Sequence, residues 1–166
     1  NNPSKEQIIN QAIQFHLKGN IPKATKYYQY CINQGFNDYR VFSNYGVILR
    51  SLRKFKEAEL LIRKAIELNP NFANAHSNLG IILKNLGKLQ EAERSLCKAI
   101  AINTNLAGAY FALSTLKYST DDHQVWKDQL FSESILNNKS HQDKVDIYFA
   151  RANILHEEKK YEESSR

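Results

Sequence analysis

Residues 43–59 read SNYGVILRSLRKFKEAE, and residues 77–93 read SNLGIILKNLGKLQEAE. Ten of the 17 positions are identical at an offset of 34, and the changes Tyr45/Leu79, Val47/Ile81, Arg50/Lys84 and Phe55/Leu89 keep the character of the residue. A fixed period of this length constrains the fold more than any other feature of the chain. A unit of 34 residues cannot bury an apolar face alone, so units must stack in line and bury their faces on one another. The period predicts an all-α solenoid of antiparallel helix pairs.

Further copies flank the clear pair. One period earlier, Ala12, Phe15, Gly19, Ile21, Ala24 and Tyr28 fall on the positions of Gly46, Leu49, Arg53, Phe55, Ala58 and Ile62. One period later, AGAYFALSTLKY opens a fourth copy that departs where Trp126 replaces the expected Ala. There Val125, Trp126, Leu130 and Ile135 or Leu136 form the apolar stripe of a helix of different build. VDIYFARANILHEEKKYEES matches again from Val145, with Tyr148, Ala152, Leu155, Tyr161 and Ser164 in register. The expected organisation is one domain over 1–166 with units 5–38, 39–72, 73–106, 107–144 and 145–166, about four and a half repeats, the last cut inside its second helix.

Within a unit, the first helix (A) and the second (B) each carry an apolar stripe. In the third unit Ala75, Leu79, Ile82, Leu83 and Leu86 line A, Gly87 and Lys88 turn the chain, and Leu89, Ala92, Leu96, Ala99 and Ile100 line B. Gly46 with Ala58, and Gly80 with Ala92, mark where A and B approach closely, while Ala65 and Ala99 seat against the next pair. Asn69-Pro70 stops one helix before the next begins, and Ser140 to Asp143 forms a capping box ahead of the last unit.

Composition excludes several functions. No apolar run approaches the roughly 18 residues of a membrane span, and NNPSKEQ lacks an export signal, so no membrane role is expected. Cys31 and Cys97 are distant in sequence and read as small buried hydrophobes in a reducing, cytoplasmic setting. The absence of Met points to an excised or processed piece. The net charge of +6 is interleaved with acidic residues and forms no basic block, which argues against nucleic acid. His16, His76, His123, His141 and His156 show no metal spacing, and no nucleophile, acid–base pair or phosphate loop stands out, so neither cofactor nor metal nor catalysis is expected within this chain.

The repeat positions resemble the tetratricopeptide repeat family. Phe42, Tyr45, Gly46, Leu49, Phe55, Ala58, Ile62, Ala65 and Pro70 match its pattern in the second unit. In the third, His76, Leu79, Gly80, Leu83, Gly87, Leu89, Ala92, Leu96 and Ala99 match, with Thr104 in place of Pro. The resemblance implies a right-handed superhelix whose A helices line a concave groove that holds an extended peptide or protein segment. On that pattern the groove residues are Asn10, Arg40, Ser43, Asn44, Val47, Arg50, Asn74, Ser77, Asn78, Ile81, Lys84, Phe111, Thr115 and Tyr118.

This surface mixes apolar and basic residues and would suit an acidic peptide. Asn10, Asn44 and Asn78 recur at the same helical position. They resemble the asparagine ladder of O-linked N-acetylglucosamine transferase repeats; alternatively, each amide bonds the neighbouring helix. The family's carboxylate clamp for chaperone C-termini needs Lys and Asn where this chain has Ile9, Ser43 and Ser77, then Ile13, Val47 and Ile81. A chaperone co-factor role is therefore disfavoured. Two further readings stay open. The last two units resemble the repeats preceding the catalytic domain of bacterial tetratricopeptide-repeat sulfotransferases, which would make this chain the substrate-recognition region of a larger enzyme. The exposed last unit could also support self-association.

Overall fold

The computed structural model describes residues 1–116 and 124–166. Among these the secondary structure is helical throughout: α1 Lys5–Leu17, α2 Ile21–Asn33, α3 Tyr39–Ser51, α4 Phe55–Leu68, α5 Ala73–Asn85, α6 Leu89–Ile102, α7 Ala107–Ser114, α8 Gln124–Phe131, a 3-10 turn Glu133–Leu136, and α9 His141–Ser164. The sequence supplies the starts. Ser4 and Gln7 make a complete capping box on α1, each side chain accepting from the other residue's backbone N–H. Asp38 accepts from the Arg40 N–H at the head of α3. At α9 only half of the expected box forms: Ser140 accepts from the Asp143 N–H, while its own hydroxyl donates to the Asp143 carboxylate.

α1 pairs with α2, α3 with α4 and α5 with α6, and each pair stacks on the next through α2 on α3, α4 on α5 and α6 on α7. The core is accordingly a line of three linked apolar clusters, one over α1–α3, one centred on α3–α6 and one over α6–α9. Glycine sets the closeness of the central pairs. A Cβ built on Gly46 would lie 2.7 Å from Ile62 Cδ1, and one on Gly80 would lie 2.5 Å from Leu96 Cγ. The neighbour that demands glycine is thus the large residue one turn beyond Ala58 or Ala92, which are themselves fully buried. The A-to-B turns share one register too: Gly19 and Gly87 have φ of 73° and 76°, and Arg53 takes the same left-handed conformation at 61°.

The C-terminal part departs from the expected units. Residues 145–166 do not turn back as a helix pair; they belong to α9, a single helix of 24 residues. α9 packs on α7 as α4 packs on α3 and α6 on α5, and so takes the place of the second helix of the fourth pair. Ala150 and Ile154, both buried, reproduce the spacing of Ala58 with Ile62 and of Ala92 with Leu96. Ser114, in the register of Gly46 and Gly80, meets α9 through the Asn153 amide, which donates to its hydroxyl at 3.1 Å. α8 and the 3-10 turn are an insertion between the two helices of this pair. Trp126, Leu130 and Ile135 plug it into the core as the apolar stripe predicts, but Val125 is 72% exposed and lies off that stripe. Arg151 fastens the insertion to α9, its guanidinium donating to the Leu130 and Ser132 carbonyls at 2.9 Å each.

Candidate functional site

The A helices α3, α5 and α7 stand side by side, α3 touching α5 and α5 touching α7. These three helices and their ends hold the expected groove residues other than Asn10 and Tyr118, and the surroundings of those residues differ sharply. Asn10, on α1, and Asn74 are exposed; Asn10 sits in a shallow polar hollow with Gln7, Gln11 and Gln14. Ser43 is only 2% exposed and cannot meet a ligand in this arrangement, because the small side chain is covered by neighbouring helices. Val47, Ser77 and Ile81 are half-buried, and the Phe111 ring is 37% exposed. Tyr118 lies outside the described residues.

Two of the three recurring amides are engaged by the protein itself. The Asn44 amide faces the phenol of the fully buried Tyr28, whose pKa burial pushes up to about 12 against the opposing influence of that amide. The Asn78 Oδ1 accepts from Arg50 Nη1 at 2.7 Å. These contacts hold neighbouring helices together, which is the structural alternative for the amide ladder.

The three cations of the face divide into two kinds. Arg40 is neutralised: its guanidinium binds Asp38 at 2.8 Å and Glu6 at 3.0 Å, reaching from α3 back to α1. The hydrogen bond to Asp38 raises the Arg40 pKa above its ordinary value, and the same contact holds the Asp38 carboxyl below the usual range. Arg50 and Lys84 instead reach forward to neutral oxygens, Arg50 to Asn78 on α5 and Lys84 Nζ to Thr115 Oγ1 on α7 at 2.6 Å. Neither has a carboxylate partner among the described residues. Burial lowers the Arg50 pKa. The outer charged face behaves otherwise: Glu59 binds Arg63 at 2.9 Å and Lys88 at 3.2 Å, and Arg63 reaches Glu91, lacing α4 to the start of α6.

Two of the histidines serve structure, and His123 lies outside the described residues. His76 Nε2 lies 2.7 Å from the Pro70 carbonyl, and His16 Nδ1 lies 3.2 Å from the Tyr28 hydroxyl. Among the described residues no cluster of His, Cys, Asp or Glu is arranged to hold a metal, and no helix is long and apolar enough to cross a membrane. Cys31 is buried, Cys97 half-buried, and the two are not joined in a disulfide.

Helix pairs of this period, register and small-residue packing define a solenoid of repeats, and the comparisons say which. One tetratricopeptide repeat model matches residues 39–72, and a second matches residues 61–94, straddling the join between α4 and α5. Residues 39–94 thus match tetratricopeptide repeats. No curated protein matches it in sequence.

Solved structures share its fold. MamA superposes with a TM-score of 0.64 at 16% identity, over 96% of this chain and 81% of that one. Another MamA structure, from AMB-1, is 22% identical with a TM-score of 0.58 over 67% of this chain; the match spans 61% of its length. The second repeat domain of human RPAP3, solved with the HSP70 peptide SGPTIEEVD, gives 0.60 at 22% identity, covering 68% and 93%. A Thermobaculum terrenum O-GlcNAc transferase mutant gives 0.65 at 20% identity, covering 76% of this chain and 25% of that one. At these identities the likeness establishes the all-α repeat solenoid and nothing finer. It lends no support to a sulfotransferase origin.

Proposed function

We propose that this chain is a protein-interaction module that holds an extended, acidic peptide or protein segment across α3, α5 and α7 and performs no catalysis. The observation that carries this reading is the pair Arg50 and Lys84, two partly buried cations on the A helices whose hydrogen-bond partners among the described residues are neutral oxygens. Desolvating a cation without a counter-ion is unfavourable, and an incoming carboxylate relieves that cost. The half-buried Val47 and Ile81 and the exposed Phe111 supply apolar contact beside them. Two cysteines not joined in a disulfide and the interleaved charges fit a cytoplasmic protein that contacts neither nucleic acid nor a membrane.

The RPAP3 domains bind chaperone peptides on a similar backbone, but the clamp positions here hold the buried Ile9 and Ser43 and the half-buried Ile13, Ser77, Val47 and Ile81. A peptide ending in EEVD is therefore expected to bind no better than any other acidic peptide. The direct test is fluorescence anisotropy with a labelled Glu-rich extended peptide. Arg50→Glu together with Lys84→Glu should abolish binding, with a fall in melting temperature no larger than two lost helix-to-helix hydrogen bonds account for; unchanged affinity in a chain that still melts cooperatively would sink the reading.

A second reading has one specific observation behind it: the same fold makes up a quarter of an O-GlcNAc transferase chain. This chain would then present substrate to a catalytic domain elsewhere in a larger enzyme, for which a sulfotransferase remains only a residue-level resemblance. An immunoblot of source cells separates the two, since an enzyme would migrate larger by a domain, about 100 to 250 residues. Self-association through the outer face of α9, where Tyr148 and Leu155 are each 55% exposed, would show as a concentration-dependent mass in light scattering.

A further inference from the structure

Along the sequence the cations alternate with acidic residues, but the fold sorts them by edge. The segments HLKGNIP (16–22), RSLRKFK (50–56) and KNLGKLQ (84–90) lie one period apart, and each spans the end of an A helix, the turn and the start of the B helix. Together they hold seven Lys and Arg and no Asp or Glu. The opposite turns, 33–39, 67–73 and 101–107, hold two acidic residues and no Lys or Arg. Contacts between repeats bring the basic segments to one side of the solenoid. Glu6 to Arg40 joins the first turn of α1 to that of α3, and Lys84 to Thr115 joins the end of α5 to the end of α7, so the A helices run side by side in one direction. Lys88 meets Glu59 at 3.2 Å, which sets the third turn against the start of α4.

Most of this charge is unanswered from within. The nearest acids follow at the starts of α4 and α6. Of these, Arg63 binds Glu59 and Glu91, Lys88 also binds Glu59, and Glu93 is buried, which leaves the exposed Glu57. Lys18, Lys54 and Lys56 are exposed and form no ion pair among the described residues. Beside them in the same connections, Leu17 and Leu52 are 75% and 56% exposed. Exposed cations around solvent-facing leucines fit an acidic partner that also carries apolar side chains. The edge runs into the groove as well, because Arg50 and Lys84 belong to the same segments but are half-buried. An extended chain reaches such recessed cations, whereas a flat anionic surface does not, so this continuity favours a protein segment.

We propose that the A-to-B edge of the first three pairs is a docking surface for an acidic, partly apolar protein segment, which continues from the groove over Lys54 and Lys56 toward Lys18. The partner's chemistry rests on the groove reading above; the surface rests on different residues. The test titrates the labelled Glu-rich extended peptide at low salt with the whole chain and with two double variants of equal net charge. Lys54→Gln with Lys56→Gln should weaken binding about threefold or more, and the loss should shrink at high salt. Lys5→Gln with Lys98→Gln, at exposed positions in the first turn of α1 and the second half of α6, should leave the affinity near that of the parent. Equal weakening by the two pairs, or none by Lys54→Gln with Lys56→Gln, would overturn the edge and leave the groove reading standing. Loss from the edge pair with Arg50→Glu and Lys84→Glu silent would uphold the edge and overturn the groove. No peptide binding by a chain that melts cooperatively, or capture by anionic vesicles in its place, would overturn both.

Discussion

The central pairs, α3 with α4 and α5 with α6, and the C-terminal pair, α7 with α9, solve the same packing problem by different means. In the centre, a glycine on the A helix receives a large residue of B, and the connection is a tight turn. In the C-terminal pair a serine stands at that position, a polar bond from Asn153 crosses the interface, and an inserted helix intervenes, anchored by Trp126. The comparison separates what a repeat requires from what it tolerates. A small residue facing Ala-x-x-x-large is kept in both, while the length of the A-to-B connection is not.

The largest expected effect tests whether the inserted anchor is local. Trp126→Ala should cost about 3–5 kcal/mol and remove hydrogen-exchange protection from α7 to α9, with the α3–α6 amides keeping theirs. Equal loss along the whole chain would show that the two regions unfold as one. Next, Gly80→Ala should cost about 1–3 kcal/mol in thermal or urea unfolding, because its Cβ meets Leu96 at 2.5 Å. Ser114→Ala, at the same register, loses no space and two hydrogen bonds, one from the Asn153 amide and one to the Phe111 carbonyl a turn back, the second a local bond of little net worth, so about 0.5–1.5 kcal/mol; a reversal of this order would remove the packing distinction. The smallest effect sharpens the comparison within the centre. Arg53 holds a left-handed φ where Gly87 stands one repeat later, so Arg53→Gly should stabilise by about 1 kcal/mol or less. The guanidinium resting over the Phe55 ring offsets part of that gain, and a lower melting temperature would show that it dominates.

The legibility of the sequence follows the same division. Units 39–72 and 73–106 could be read residue by residue because their close-packing positions repeat without insertion. The fourth pair was misassigned because Trp126 occupies the place where the second-helix Ala was expected, while the true counterpart, Ala150, lies 24 positions further on. Within α9 the A-helix pattern Tyr148, Ala152 and Leu155 overlaps the B-helix pattern Ala150 and Ile154 with a shift of two residues. Side chains of both stripes recur at helical spacing, and only the packing shows which stripe is inside. The identities of the groove cations were readable, but their partners were not. Contacts such as Arg50 to Asn78 and Lys84 to Thr115 depend on how neighbouring A helices lie against each other, as does the burial of Ser43.

The same two contacts bear on the mechanics of the solenoid. With the groove empty, Arg50 and Lys84 act as laces between consecutive inner helices, and they resist bending of the rod. Under the binding mode proposed above, a carboxylate that captured either cation would untie a lace and substitute a link through the guest. Curvature and bending stiffness would then become functions of occupancy, and a chain of rigid helices would acquire a compliance set by its guest.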